Sequence, residues 1–376
     1  MARTARRQPA VAPTPAISWA KTTELVGVVL ELEPAHTCSL YAQYTIGLHA
    51  WFLEQVRQSN PALSALLHDE QTEKAFTLSG LEGPLVAKGK AFQVQAGERY
   101  RWTITALSKP VVQWMAQWLK TLPSTVELRN APLHIHQVAI AHPATSYAKL
   151  WETARSLAST VSLSFVSPTS FRRYGHHFPL PVPYNLYHSY LRRWNLFSKI
   201  QVDPDEFLDW VDQSVLVLRH QLVSTKVVAG KKGAVTGFTG AIELGLSPKA
   251  RADDQLVQLF YALSSLAPYC GTGHKTTFGL GQTRLGWQVT ELPAIPSMQT
   301  LLIERIAELT ALFTAQRKRT GGDRAINIAE TWATILARRE FGESLQAIAD
   351  DLEIPYETVK TYAKRARQEL HNHSLE

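Results

Sequence analysis

One stretch of the chain has residue types and spacing suited to holding a phosphate: Tyr269 to Leu285, YCGTGHKTTFGLGQTRL. Gly271 and Gly273 stand ahead of Lys275, and Gly279 and Gly281 stand ahead of Arg284. Glycines at alternate positions let a backbone take positive φ and come close to a bulky ligand. Outward N–H groups in such a loop make an anion-binding concavity, to which Lys275 and Arg284 add charge. The expected ligand is a phosphate chain. A nucleotide P-loop would end in Gly-Lys-Ser/Thr after four spacer residues, and a Rossmann turn needs a third glycine three after the second. Neither pattern is present. The same composition also fits a glycine-rich hairpin with two solvated cations.

The elements that must position this stretch fall into two similar halves. Residues 22–31 alternate and are rich in Val and Leu, which predicts a first strand. Leu40 to Arg57 reads as a helix with Tyr44, Leu48, Trp51, Phe52 and Val56 on one face and His49 at its edge. Asn60-Pro61 breaks the pattern before a short helical turn to His68. Strands follow at Phe76 to Leu81, Ala91 to Gln95 and Tyr100 to Leu107. A Trp-rich helix from Pro110 to Leu122 and an extended pair within Val126 to Ala141 complete the half. The order strand–helix–strand–strand–helix–strand is ferredoxin-like. The second half repeats it, with strands at Val161 to Val166, Ser214 to Lys226, Phe238 to Leu246 and Thr276 to Trp287. Its helices lie within Pro181 to Phe197 and Gln255 to Leu266. The expected class is α+β: a flexible basic arm over 1–20, then two tandem ferredoxin-like (RRM-like) domains over 21–145 and 155–290.

At 376 residues the chain has room for two or three domains. An apolar content of 45% with 10 Trp predicts well-filled cores. Cys38 and Cys270 cannot make a disulfide framework, which favours a reducing cytoplasm. No apolar run reaches the length of a membrane span, and MARTARRQPAVAPTP lacks the apolar stretch of a secretory signal. The net charge is +7. From Leu301 onward eleven Lys/Arg face twelve Asp/Glu, whereas the preceding body carries 28 against 20. A basic body favours a polyanionic partner through counterion release. His134 with His136, and His176 with His177, have no cysteine or carboxylate cluster nearby, so neither a metal site nor a cofactor is expected.

The run Gly-x-Gly, five residues, Gly-x-Gly and a basic residue resembles the signature of the repeat-associated mysterious protein (RAMP) superfamily. Further stretches are LHDEQTEKAFTLSGL at 67–81, SFVSPTSFRR at 164–173 and GFTGAIELGL at 237–246. Together they resemble the CRISPR-associated endoribonuclease six family over residues 22 to 288. The resemblance implies cutting of precursor CRISPR RNA within its repeats by 2′-hydroxyl attack, with no metal. The products would be a 2′,3′-cyclic phosphate and a 5′-hydroxyl. CRISPR repeat RNA, or crRNA, and other CRISPR effector subunits are the implied partners. His68 stands where similar family members place a catalytic histidine, with Lys74 as the nearby lysine. His49 lies on the first helix, where other branches carry theirs. The ordinary alternatives are a capping histidine at 68, a packing histidine at 49 and a solvated lysine at 74. Tyr41 and Tyr44 do not align cleanly with the family's tyrosine. Arg172 and Arg173, in SPTSFRRYGHH, fit a grip on the repeat backbone or plain loop charge. A crRNA-binding scaffold that does not cut is the alternative within the superfamily.

Pro293 and Pro296 mark a linker, and residues 300–374 are expected to form a separate helical module that cutting does not need. Within it, SLQAIADDLEIPYETVKTYAKRARQEL has a helix-turn-helix period. It resembles the DNA-reading end of LuxR-type regulators and of sigma factor region four. Tyr356, Glu357, Lys360, Thr361 and Lys364 would be the outward face, turned to DNA or to another protein. The acidic Asp350, Asp351 and Glu353 lie just before it. A helix-turn-helix regulator whose basic body senses RNA is the rival function.

Overall fold

The computed structural model describes residues 17–68, 73–154, 160–229, 233–289, 296–315 and 322–373. In the first half, β1 (Leu25–Pro34), β3 (Phe76–Glu82), β6 (Tyr100–Ala106), β7 (Thr125–Leu128) and β8 (Ala131–Thr145) form one antiparallel sheet. Its order is β3-β6-β1-β8-β7. The run Leu25 to Leu30 is buried throughout, as a central strand covered on both faces requires. A small sheet of β2 (Cys38–Tyr41), β5 (Ala91–Val94) and β4 (Val86–Lys88) flanks it. Helices α1 (Tyr44–Ser59), α2 (Pro61–His68) and α3 (Lys109–Trp118) supply an aromatic core. Phe52 meets Trp114 edge-on at 5.4 Å, and Trp114 stacks on Trp118 at 5.2 Å. Each such pair contributes about 1 kcal/mol beyond area burial. The indole N–H of Trp114 donates to Ser59 Oγ at 2.7 Å, so the ring is buried without an orphaned donor.

The second half comprises α4 (Tyr147–Thr153), β9 (Thr160–Thr169), the hairpin strands β10 (Phe171–Arg173) and β11 (His176–Phe178), α5 (Pro183–Phe197) and α6 (Pro204–Ser214). Then come β12 (Val215–Val228), β13 (Ala234–Leu246), α7 (Asp254–Cys270) and β14 (Thr283–Leu285). The sheet order β12-β13-β9-β14 puts the second, third, first and fourth strands of this half side by side. Setting aside the edge strand β7, the first sheet has the same order. Both halves are therefore ferredoxin-like. The last strand is shorter than predicted, covering 283–285 of the expected Thr276 to Trp287. Residues 271–282 are committed to other hydrogen bonds described below.

The two halves are joined through side chains as well as through the chain. Leu25 and Leu107 of the first half sit in the second hydrophobic core, where Tyr147 donates its hydroxyl to the Leu107 carbonyl at 2.8 Å. Thr105 donates its hydroxyl to the Tyr269 carbonyl at 2.6 Å, and Tyr269 donates to the Pro143 carbonyl at 2.7 Å.

Four further helices follow: α8 (Met298–Ala315), α9 (Gly322–Glu340), α10 (Leu345–Leu352) and α11 (Tyr356–His373). Leu309, Phe313, Ala333, Leu336 and Ala366 fill one core, and Ile335, Ile348, Ala349, Val359 and Ala363 another. The extension is docked rather than apart. Leu301 is buried in the first domain's core, Phe341 packs against the same core, and Glu340 pairs with Lys90 at 3.7 Å. The apolar side of α8 needs a covering surface, and the body supplies it. Among the described residues no helix is long and apolar enough to cross a membrane.

Candidate active site and nucleic-acid interface

The glycine-rich stretch begins where α7 ends. Gly271 closes that helix with φ +65°, donating its N–H to the Ala267 carbonyl at 2.9 Å. Gly273, Gly279 and Gly281 also have positive φ. Their amides, however, turn inward. Gly273 N–H donates to Ser189 Oγ (3.0 Å), Gly279 N–H to the Leu78 carbonyl (3.1 Å) and Gly281 N–H to the Pro168 carbonyl (3.1 Å). A Cβ on Gly273 would lie 2.2 Å from the Ser170 oxygen, and one on Gly281 would lie 2.0 Å from the Thr272 oxygen. These glycines let two pieces of protein backbone touch. The expected row of outward amides is corrected accordingly: the acceptors are already within the fold.

What the loop does is fasten the two domains. Leu78 N–H donates to the Thr276 carbonyl at 3.0 Å, and Ser79 pairs with Gly279 in a parallel bridge. The outer edge of β3 is thereby occupied, which blunts an open sheet edge. Arg284 joins the same seam, pairing with Glu82 of the first domain at 2.8 Å. It lies in a cleft of about 500 Å³ with Arg101, His142 and Gln282. Lys275 donates to the Ala229 carbonyl at 3.1 Å, and burial lowers its pKa. It too points its charge into the protein rather than outward.

His49, His68 and Lys74 belong to elements that pack together: α1, the end of α2 and the approach to β3. His49, on α1, stacks on Phe278 of the glycine-rich loop with ring centroids 4.3 Å apart. Burial, with the charges of His68 and Lys74 adding to it, lowers the His49 pKa to about 4. His49 is therefore neutral at pH 7. His68 is exposed at the end of α2, and Lys74 is half-buried just before β3. Glu73, beside Lys74, holds this segment in place. It pairs with Arg192 and with buried Arg193, the latter at 3.3 Å. Arg193 also donates to the Gly273 carbonyl at 3.1 Å and to Ser189 Oγ at 2.8 Å. Tyr44 serves packing: it is buried, and its hydroxyl accepts the Leu81 N–H at 3.1 Å.

Arg172 and Arg173 sit on the β10–β11 hairpin, whose turn residues Tyr174 and Gly175 have φ +48° and +81°. Positive φ at both central positions is what a tight two-residue hairpin turn demands. Arg172 braces the turn by donating to the Gly175 carbonyl at 2.9 Å. Arg173 stands over the Tyr174 and Phe178 rings at 5.8 and 5.4 Å, and Tyr174 is 89% exposed. His177 stacks on His274 at 5.3 Å, linking the hairpin to the glycine-rich loop. His134 and His136 are exposed on β8, and among the described residues no group of three His, Cys, Asp or Glu is placed to hold a metal ion.

Two family models match most of the body of the chain. That of the CRISPR Cas6 N-terminal domain matches residues 26–157, and that of the CRISPR-associated endoribonuclease Cas6 matches residues 163–283. The chain belongs to the Cas6 endoribonuclease family. Among solved structures, a Cas6 product complex from Thermus thermophilus (TTHB231) is similar at 25% identity and TM-score 0.57. That match covers 70% of this chain and 100% of the other. A second Cas6 product complex (TTHA0078) is similar at 25% identity and TM-score 0.55, covering 70% of this chain and 99% of that one. No curated protein sequence matches the chain. The helices from Met298 onward lie outside both Cas6 family models.

Within this Cas6 framework, sequence reasoning missed Phe278, Glu73 and Arg193. Phe278 lies inside the stretch already singled out, between its two glycine pairs. Arg193 falls beside Tyr190 and Trp194 on the aromatic face of α5, where a charge must find a partner to be buried. Glu73 carried no such signal, because its partners are more than a hundred residues away.

Proposed function

We propose that this chain cuts CRISPR repeat RNA without a metal ion, by attack of a ribose 2′-hydroxyl on the adjacent phosphorus. The products are a 2′,3′-cyclic phosphate and a 5′-hydroxyl end. The observation that carries this reading is His49 stacked on Phe278 of the glycine-rich loop, with the charges of His68 and Lys74 near enough to act on its ring. RNA supplies its own nucleophile, so the protein need only align the strand, move two protons and hold the phosphorane charge. Neutral His49 accepts the proton of the 2′-hydroxyl. Exposed His68 delivers one to the leaving 5′-oxygen, and Lys74 faces the non-bridging oxygens. Arg172 and Arg173 hold the repeat backbone from the hairpin. Gly271, Gly273, Gly279 and Gly281 shape the loop that carries Phe278 and seats the RNA by its form rather than by its amides. The relatives solved with product bound are consistent with an RNA-holding face on this fold.

The test is cleavage of a cognate repeat RNA on denaturing gels. Cutting should persist in excess EDTA and stop when the ribose at the cut site is 2′-deoxy. His68→Ala and His49→Ala should each slow cutting by about 10²–10⁴-fold while repeat binding persists. Inhibition by EDTA, or cutting of the 2′-deoxy strand, sinks the mechanism. Full-speed cutting by the double variant removes histidine from it.

A further inference from the structure

We propose that the extension is a second, separate nucleic-acid site, in which α11 enters the major groove of duplex DNA. The argument begins with how the extension is docked. Its contacts with the body run through α8 and the end of α9: Leu301, Phe341 and the Glu340–Lys90 pair. The inward residues of α11 are consumed within the extension itself, Val359 and Ala363 against α9 and α10, and Ala366 against α8 and α9. Docking therefore presents the remaining side of α11 to solvent as a rigid surface.

At about 100° per residue, that side is a continuous arc of about 180°. It holds Tyr356, Glu357, Lys360, Thr361, Lys364, Arg365, Arg367 and Gln368, all exposed. Four cations face one acid, and that acid, Glu357, is paired with Lys360 at 3.4 Å. Tyr356 is the one large apolar side chain on the arc. Lysine and charge are depleted from the cores of protein–protein interfaces, whereas phosphates recruit them. The composition of the arc thus favours nucleic acid over a protein partner. Beyond the arc, Asp350, Asp351 and Glu353 stand at the α10 end and Glu369 near the far end of α11; Asp351 is paired with Arg338 at 2.6 Å.

The geometry selects the form of nucleic acid. Glu353 takes a left-handed conformation (φ +54°), and Ile354-Pro355 carries the chain into α11, so α10 and α11 are joined by a three-residue turn. This is the helix-turn-helix arrangement, in which the second helix lies in a groove while the first crosses the backbone. A helix fits the wide major groove of B-form DNA but not the deep, narrow one of A-form RNA. Thr361 and Gln368 supply uncharged hydrogen-bonding groups for base edges.

Because a basic body attracts polyanions whatever α11 does, the test must read out sequence choice and place the contact on α11. The full chain is used to select from a random-sequence duplex DNA library, and the selected duplex is titrated against wild type and Lys360→Glu/Lys364→Glu. The expected result is an enriched sequence that the reversed variant binds about 10²-fold more weakly, with a salt slope lower by about two. RNA cleavage should be unchanged. Thr361→Ala/Gln368→Ala, which disturbs no core contact, should shift the selected sequence. The proposal is overturned if no sequence is enriched, if both variants bind the selected duplex as wild type does, or if the reversal also abolishes RNA cleavage. Loss of a protein partner with duplex affinity intact would overturn it in favour of protein docking.

Discussion

The glycine-rich loop and the β10–β11 hairpin are both basic, both contain glycine at positive φ, and they touch through His274 and His177. They spend their polar groups in opposite directions. The loop gives its glycine amides, the Lys275 ammonium and the Arg284 guanidinium to acceptors of the protein. The hairpin sends Arg172, Arg173 and Tyr174 to the surface. Spacing alone cannot separate these cases, because a backbone that approaches a phosphate and one that approaches another backbone need the same torsion angles. The difference lies in whether acceptors are already present, and those come from distant segments such as Leu78, Pro168 and Ser189.

The largest effect should come from adding a single methyl group to each region. Gly281→Ala places a carbon 2.0 Å from the Thr272 oxygen at φ +70°, and neither backbone can retreat without breaking the Thr272 N–H to Gly281 carbonyl bond of 2.8 Å. A loss exceeding about 4 kcal/mol of stability is expected, read by urea or thermal melts. RNA binding should fall only because the fold does. Gly175→Ala, in the hairpin, meets nothing within 4 Å and should cost about 1 kcal/mol for its φ of +81°. Equal, small losses at both positions would show that the loop backbone is not tightly held.

Acid should open the seam before it touches the hairpin arginines. Burial lowers the pKa of His49, His142 and His274 to about 4 from the usual 6.5. His274 donates Nδ1–H to the Ser170 carbonyl at 2.8 Å, and its Nε2 is buried without a partner. Between pH 6.5 and 4 the unfolded chain binds protons that these folded imidazoles refuse. Stability is therefore complete above pH 6.5 and falls as pH drops through that window. At pH 5 each contributes a loss of at most about 2 kcal/mol. Urea midpoints should drop between pH 7 and pH 5, and His274→Gln should shrink that drop. A midpoint that does not move would mean the three rings are hydrated when folded.

Much of this was legible from the chain. Alternation in YRWTITAL and the continuous apolar run of β1 announced strands, and two halves with the same element order announced paired ferredoxin-like units. The helix-turn-helix was readable because its inward set, Ile348, Leu352, Val359 and Ala363, keeps the helical period across a Pro-marked turn. His49, His68 and Lys74 were legible as candidates only through resemblance, since nothing local says that α1, α2 and the start of β3 meet. The direction of the loop amides was hidden for the same reason. So was the docking of α8, which depends on Leu301 finding a core built some two hundred residues earlier.

The smallest effects should decide where RNA phosphates lie. Lys275 and Arg172 are separated by about a hundred positions in sequence, yet the Arg172 charge reaches Lys275 and, after burial, lowers its pKa. If the outward groups meet the strand, Arg172→Ala and Arg173→Ala should each lower the slope of log affinity against log salt by about 0.7–0.9, one phosphate's worth. Stability should stay within about 0.5 kcal/mol for either, as exposed substitutions do. Lys275→Ala should leave the salt slope nearly unchanged, because its ammonium is committed to Ala229, and should instead cost stability through that lost bond. Titrations of a repeat RNA at several salt concentrations give all three slopes. A full unit lost with Lys275→Ala and none with either arginine would reverse the assignment. Lys275 would then leave Ala229 on binding, and the loop, rather than the hairpin, would be the phosphate grip.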